Sequence, residues 1–181
     1  MFRFPALLAI LALLPAVAVA APRAGFHSGP VFQGFGDVAS VESDLPIPPG
    51  TTLKVAFNVS DAAKPGEVNR AIDSAARFIN MNVEAGVPLE NIHIAIVVHG
   101  AAADDLLGPA AYAQRKDGKT NATAAEIAAL TAHGVDIYLC GQTAAARGIT
   151  KADLLPGVKM ALSAMTAFAL LQQQGYTVNP F

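Results

Sequence analysis

The sequence predicts an α/β fold: a three-layer, doubly wound domain built on a mostly parallel sheet of four or five strands. Short apolar segments alternate along the chain with segments of helical periodicity, and parallel strands need a long crossover connection that is usually a helix. The composition agrees. A chain that is 53% hydrophobic and 14% charged has the apolar side chains for a core and is not a disordered chain.

The N-terminus has the pattern of a secretory signal peptide. Arg3 precedes an apolar run that ends in Ala18-Val19-Ala20, a small-x-small cleavage sequence. A membrane anchor is the alternative, but the run is short and contains Pro15, whereas a spanning helix needs about 20 apolar residues. We therefore expect cleavage near Ala20 and removal of residues 1–20. The protein is then periplasmic or secreted, without stable membrane insertion.

Residues 21–51 differ in composition from the rest of the exported chain. They are rich in glycine and proline, and neither a helical nor a strand period persists in them. We expect an extended arm that packs on the domain or on a neighbouring subunit. Residues 52–181 are expected to form one α/β domain.

The first half of the domain contains two predicted strands and a helix between them. Leu53–Val59 alternates between apolar and mixed positions, and Ile92–Val98 is a nearly continuous apolar run suited to a strand buried on both faces. Between them, apolar residues recur at spacings of three and four from Val68 to Val83. This pattern predicts a helix that Pro65 opens and Gly86 ends.

The second half continues the alternation. A loop with polar residues spans 99–121, and Thr123 with Glu126 three positions later predicts a capped helix that continues through His133. The other predicted elements are a strand at 135–140, a helix at 143–147, a strand at 158–162, a helix capped by Ser163 that continues to about Gln174, and a strand at 176–178.

The candidate functional residues follow two of these strands. Ligands of doubly wound sheets bind beyond the carboxyl ends of the strands. Cys140 lies at such an end, before a predicted helix whose N–H groups stabilise a thiolate. It is therefore the candidate catalytic residue. The candidate binding residues lie at the same edge: His99, Gly100, Gly141, Gln142 and Thr143.

The residues alone leave two alternatives open. A free cysteine is often simply a small buried hydrophobic residue, in which case Cys140 serves packing. His99 either orients or deprotonates a group at this edge, or is satisfied by the backbone of its loop.

Several functional classes are disfavoured by what the sequence lacks. One cysteine and four histidines give no zinc-binding spacing, and no glycine-rich nucleotide motif lies between a strand and a helix. Neither a metal nor a cofactor is therefore predicted. A formal net charge of −2 argues against a nucleic-acid partner.

Two charged segments are expected to be solvated. Asp104-Asp105 is interpreted as a loop pair or the cap of a short helix, rather than as paired catalytic carboxylates. The basic segment at 115–119 is interpreted as a surface loop.

Several stretches of the domain match one known family. They include Val97-Val98-His99-Gly100-Ala101, Leu139-Cys140-Gly141-Gln142 and Ser163-Ala164-Met165-Thr166. Residues 54–176 resemble the DsrE/DsrF-like (YchN-like) family, in particular its exported members. The resemblance implies a doubly wound subunit that assembles as a homotrimer or homohexamer. It also implies a cysteine that accepts sulfur as a persulfide and exchanges it with a sulfur donor or acceptor protein.

Two functions from different classes follow. In the first, the exported protein performs sulfur transfer or thiol-redox chemistry through Cys140 as a persulfide carrier. His99, Gln142 and the N–H groups after Cys140 then surround the sulfur. In the second, the protein is a non-catalytic oligomeric module that binds a small molecule or a protein, and its cysteine is buried and structural.

Overall fold

The computed structural model describes residues 24–179, which form a five-stranded sheet with helices on both faces. The strands are β1 (Leu53–Val59), β2 (Ile92–Val98), β3 (Asp136–Cys140), β4 (Val158–Ala161) and β5 (Thr177–Asn179). Their order is β4-β3-β2-β1-β5, and all four pairings are parallel. The predicted doubly wound α/β fold is confirmed. The predicted signal peptide, residues 1–20, lies outside the described residues.

The direction in which the chain adds strands determines which face each helix covers. The helices are α1 (Arg70–Glu84), α2 (Pro109–Arg115), α3 (Ala124–Ala132), α4 (Gly141–Arg147) and α5 (Ala164–Gln173). From β1 to β4 the chain moves one way across the sheet, and right-handed crossovers keep the intervening helices on one face. The chain then returns past β1 to form β5, so α5 covers the opposite face. None of the helices in the described range is long and apolar enough to cross a bilayer.

The two faces of the sheet carry different side chains. Large residues such as Phe57, Ile96 and Leu139 pack on the side of α1, α3 and α4, which holds most of the core. The α5 face carries small residues, with Ala56 and Ala95 buried beneath the helix. Because side chains alternate along a strand, the polar residues at the carboxyl ends of β1 and β3 project on the α5 face.

The first helix begins later than the glycine and proline signals predict. It starts at Arg70, because the Asn69 side chain caps it by accepting hydrogen bonds from the N–H groups of Ala71 and Ile72. Pro65 lies in the preceding loop, and Val68, assigned to the apolar face of the helix, is exposed outside it. The predicted start was therefore wrong by one turn or more.

The segment predicted as a loop at 99–121 contains regular structure. A 3-10 helix spans Gly100–Leu106, and α2 follows it. Both pieces are short and rich in alanine, so they carry too few large apolar residues to show a helical period.

The capping box predicted at the start of α3 does not form. Thr123 occupies the N-cap position, but its side chain makes no capping bond and its Oγ1 instead accepts from the N–H of Asn69 at 3.0 Å. Glu126 is buried. The predicted cap of α5 is confirmed, since Oγ of Ser163 accepts from the N–H of Thr166 at 3.0 Å.

The prediction that Asp104 and Asp105 are solvated was wrong, because both side chains are buried. Oδ2 of Asp104 lies 2.7 Å from Nη2 of Arg147 and 2.8 Å from Nζ of Lys116. Burial acts to raise the pKa of Asp104, but these two cations outweigh it and lower the pKa. The basic segment is thus partly engaged in an ion-pair cluster that joins α2, α4 and the 3-10 helix.

The N-terminal arm lies against α1 over residues 27–38. The amide of Asn80, which is fully buried, accepts from the N–H groups of Val31 and Phe32 and donates to the carbonyls of Phe32 and Gly36. The Phe32 ring packs edge-on against His133, with 4.9 Å between centroids. With a longer bond of 3.5 Å to the carbonyl of Phe35, a single asparagine contacts five backbone groups of the arm.

Candidate functional site

Three neighbouring strands place a polar side chain at the carboxyl edge of the α5 face. Asn58 is the penultimate residue of β1, His99 follows β2 directly, and Cys140 ends β3. The N–H of His99 donates to the carbonyl of Val59 at 2.9 Å, which continues the strand pairing to this point. Since β2 lies between β1 and β3, the three side chains lie side by side.

These side chains open into a cavity of about 330 Å³ that residues of α5 line on the other side. Four of the six predicted site residues line it, namely His99, Cys140, Gln142 and Thr143. The remaining lining residues are Asn58, Ser163, Ala164, Met165 and Phe168. Gly100 and Gly141 are outside the lining and act on the site through their backbone.

Cys140 occupies the N-cap position of α4, and the residue is only 6% exposed. The Cys140 side chain makes no capping hydrogen bond, but the N–H and the hydroxyl of Thr143 and the N–H groups of Ala164 and Gln142 act on the pKa of its thiol. Burial acts to raise the pKa of the thiol, but these donors together outweigh it and lower the pKa. The site therefore stabilises the thiolate.

The Thr143 hydroxyl is oriented by the end of β2. Its Oγ1 accepts from the N–H of Gly100 at 3.2 Å. Because a lone pair is used in this way, the hydroxyl hydrogen is free to point toward Cys140. Gly100 adopts a φ of 58°, a left-handed conformation that favours glycine. The prediction of Gly100 as a site residue thus corresponds to an indirect contact.

Gly141 is required by a close backbone approach. A Cβ atom at this position would lie 2.5 Å from the carbonyl oxygen of Ala161 and 3.0 Å from that of Leu162. With no side chain there, α4 begins close against the connection from β4 to α5. This proximity brings the N–H of Ala164 to the sulfur, so the first residues of two helices converge on Cys140.

His99 is held by Asn58. Its Nε2 lies 2.7 Å from Oδ1 of Asn58. A carbonyl oxygen only accepts, so Nε2 carries a proton and Nδ1 is left as the nitrogen that can accept one. The hydrogen-bond partner of the His99 ring is thus a side chain on β1, and not the backbone of its own loop as in the alternative interpretation.

The sequence prediction missed Asn58 and the four residues from the α5 region. Asn58 lies within a strand, at one of the mixed positions that it shares with Lys54 and Ala56, so the alternation of Leu53–Val59 gives it no signal of its own. Ser163 to Phe168 reach the site because α5 crosses back over β3 and β2 toward β5. That crossing depends on the strand order, which no local pattern specifies.

The electrostatic character of the cavity comes from neutral dipoles. Its lining contains no lysine, arginine, aspartate or glutamate. Within residues 24–179, no group of three or more histidine, cysteine or acidic side chains is placed to hold a metal ion. One wall is polar, formed by the strand ends and α4, and the other is apolar, formed by Ala164, Met165 and Phe168.

Comparison with known proteins gives a family match and a fold match. The model of the DsrE/DsrF-like family matches residues 54–180. The ychN protein from E. coli is a similar solved structure, with a TM-score of 0.52, 18% identity, and coverage of 72% of this chain and 100% of that one. Protein MTH1491 of Methanobacterium thermoautotrophicum, whose function is described as unknown, is a second similar structure. Its TM-score is 0.51 and its identity is 19%, with coverage of 71% of this chain and 99% of that one. No curated protein matches the chain.

Proposed function

The chain belongs to the DsrE/DsrF-like family, and from that premise we propose that it accepts a sulfur atom on Cys140 and carries it as a persulfide. Sulfur relay is the chemistry linked to this family. The proposal includes export before the protein acts, assembly as a homotrimer or homohexamer, and exchange of the sulfur with a donor or acceptor protein or small molecule.

The observation that carries the proposal is the position of Cys140, at the N-cap of α4 and in the lining of a cavity, where the N–H groups of Thr143, Gln142 and Ala164 and the Thr143 hydroxyl lower the pKa of its thiol. A thiolate is the reactive form of cysteine, and N–H groups at a helix start are among the features that lower a thiol pKa. A persulfide anion has the same need for donors. The cavity beside the sulfur gives a second reactant a place to bind.

The transfer step balances without an added oxidant. The Cys140 thiolate attacks the outer sulfur of a donor R–S–SH, and a new S–S bond forms to Sγ. The S–S bond of the donor breaks, and R–S⁻ leaves with the electron pair. The proton on the new persulfide passes to R–S⁻ or to Nδ1 of His99, which is the unprotonated ring nitrogen in this arrangement.

The second candidate, a binding module with a structural cysteine, has one observation in its favour: the low exposure of Cys140. A cysteine that serves only packing behaves as a small hydrophobic residue and needs no hydrogen-bond donors. The donor set around Cys140 therefore favours the sulfur-carrier function. In the module, the cavity binds a ligand and the sulfur stays unmodified.

Intact mass spectrometry of the exported protein tests the choice. After incubation with a sulfane-sulfur donor, a carrier gains about 32 Da, and reductant removes the added mass. The Cys140→Ser variant should gain nothing under the same conditions. If the folded wild-type protein also gains nothing, although unfolding exposes a thiol that reacts normally, the structural-cysteine module is the better description.

A further inference from the structure

The lining of the Cys140 cavity has a marked charge pattern. Neighbouring N–H groups lower the pKa of the Cys140 thiol and so favour its anion, yet none of the lining residues is a lysine or an arginine. An incoming anion thus approaches a negative sulfur with no cation in the lining to offset the repulsion.

The amide groups nearest the sulfur act on the sulfur itself. The N–H groups of Ala164, Gln142 and Thr143 lower the pKa of the Cys140 thiol. The N–H of Thr166, in the first turn of α5, donates to Oγ of Ser163. The amide groups therefore stabilise the anionic form of Cys140, and the lining adds no cation that would attract a second anion.

The opposite wall offers apolar contact. Phe168 is half-buried and packs with Ala167 and Leu171 on the α5 side of the sheet. Met165 stands at the mouth of the cavity with 78% of its surface exposed. A methionine and a phenylalanine placed in this way fit an aliphatic or aromatic group. The volume of about 330 Å³ is at the small end of the range for ligand sites.

From this pattern we propose that the cavity selects an uncharged hydropersulfide, R–S–SH with a small apolar R group, as the sulfur donor to Cys140, and discriminates against thiosulfate. The inference rests on the proposed function and adds the class of donor to it. Met165 and Phe168 contact the R group, and Met165 is the residue that determines specificity at the mouth.

Both donors would deliver sulfur by balanced reactions that differ in charge. From R–S–SH, the outer sulfur joins Sγ and R–S⁻ departs. From thiosulfate, the outer sulfur joins Sγ and sulfite departs, but the dianion must first reach a thiolate. The repulsion acts on the second reaction alone, so the ratio of the two rates reports the selectivity of the cavity.

The test compares rates of persulfide formation on Cys140 with benzyl hydropersulfide, generated in situ, and with thiosulfate. We expect the hydropersulfide to react at least tenfold faster, after each rate is normalised to that of a small free thiol. Met165→Lys places a cation at the mouth and removes an apolar contact with the R group, so it should raise the thiosulfate rate at least fivefold and lower the hydropersulfide rate. Met81→Lys is the matched control, because Met81 is an exposed methionine on α1, across the sheet.

Three outcomes separate this inference from the proposed function. If both donors load Cys140 at equal normalised rates, the carrier function stands and the selectivity is overturned. If Met165→Lys and Met81→Lys change the thiosulfate rate equally, the role of Met165 is overturned. If neither donor loads the folded protein, the proposed function fails and this inference fails with it.

Discussion

The Nε2 atom of His99 lies 2.7 Å from Oδ1 of Asn58, across the pairing between β1 and β2. The two side chains come from neighbouring strands and share one cavity with Cys140. Because Asn58 accepts the Nε2 proton, it selects which ring nitrogen is left to exchange a proton. Asn58 is thus a positioning residue whose effect is exerted through His99.

Replacing Asn58 by leucine should release the ring. A neutral hydrogen bond contributes about 1 kcal/mol, so we expect the fraction of His99 in the Nε2–H form to fall to a mixture of both tautomers. Nitrogen chemical shifts of the imidazole measure this directly. His93, which is exposed on β2, is an internal control whose chemical shifts should not change. An unchanged tautomer at His99 would mean that Asn58 does not determine it.

The Thr143 hydroxyl should be needed for the low pKa of Cys140. Thr143→Val keeps the shape and the backbone N–H but removes the hydroxyl donor, so the thiolate is less stabilised and the pKa rises. Because the thiolate is the reactive form, alkylation at neutral pH should slow by about tenfold. The measurement is the rate of iodoacetamide alkylation as a function of pH. Thr143→Ser retains the hydroxyl and should keep the wild-type profile.

The sequence predicts the strands well because local patterns of apolar residues indicate which positions are buried. Every residue of Ile92–Val98 except His93 is buried, and that apolar run can be recognised in the sequence without a structure. The start of α1 is less visible, since Pro65 and Gly66 resemble a helix start, while the actual cap, Asn69, depends on contacts with Asp105 and Thr123 that are distant in sequence.

The candidate site was predictable only where it follows strand ends. His99 and Cys140 stand at such ends, so the general geometry of parallel sheets brings them together. Phe168 could not be placed in the same way. Its position depends on β5 pairing with β1, which sends α5 across the opposite face of the sheet.

The cluster around Asp104 should be coupled far more strongly than a surface pair. Removing one partner of a buried ion pair leaves the others uncompensated. We expect Asp104→Asn to lower the free energy of unfolding by roughly 2–4 kcal/mol. A double-mutant cycle with Arg147→Met, measured by urea denaturation, should give a coupling of about 1–3 kcal/mol.

The pair of Asp136 and Lys159 provides the comparison for that cycle. Their atoms lie 2.6 Å apart, but both side chains are substantially exposed. The same cycle on this pair should give less than about 1 kcal/mol. Equal coupling energies in the two cycles would show that burial does not strengthen the Asp104 cluster.

Asn80→Ala should loosen the arm around Phe32, while the contacts of Asp73 and Arg77 with the arm remain. The substitution removes the hydrogen bonds to Val31, Phe32 and Gly36, so amide exchange at Phe32 should accelerate at least about tenfold. Asn82→Ala is the control, because the Asn82 amide donates to Phe78 within the same helix. Equal acceleration in both variants would point to a general loss of stability.

Glu126 should make the stability of the protein depend on pH. Its side chain is 6% exposed, and burial together with Asp73 raises its pKa from 4.5 to about 8. Between these two values the folded state retains a proton that the unfolded state has lost. Stability therefore falls as pH rises through this window and levels off above it.

Glu126→Gln should abolish that dependence. The glutamine side chain has no charge to desolvate, so the unfolding free energy of this variant should stay nearly flat from about pH 5 to about pH 8. That of the wild-type protein should decline over the same range, by at most about 1.4 kcal/mol for each unit of pH. Urea denaturation at several pH values measures both curves. Glu90→Gln alters an exposed glutamate and should follow the wild-type curve. Parallel curves for the wild-type protein and Glu126→Gln would show that Glu126 is already ionised in the folded protein at neutral pH.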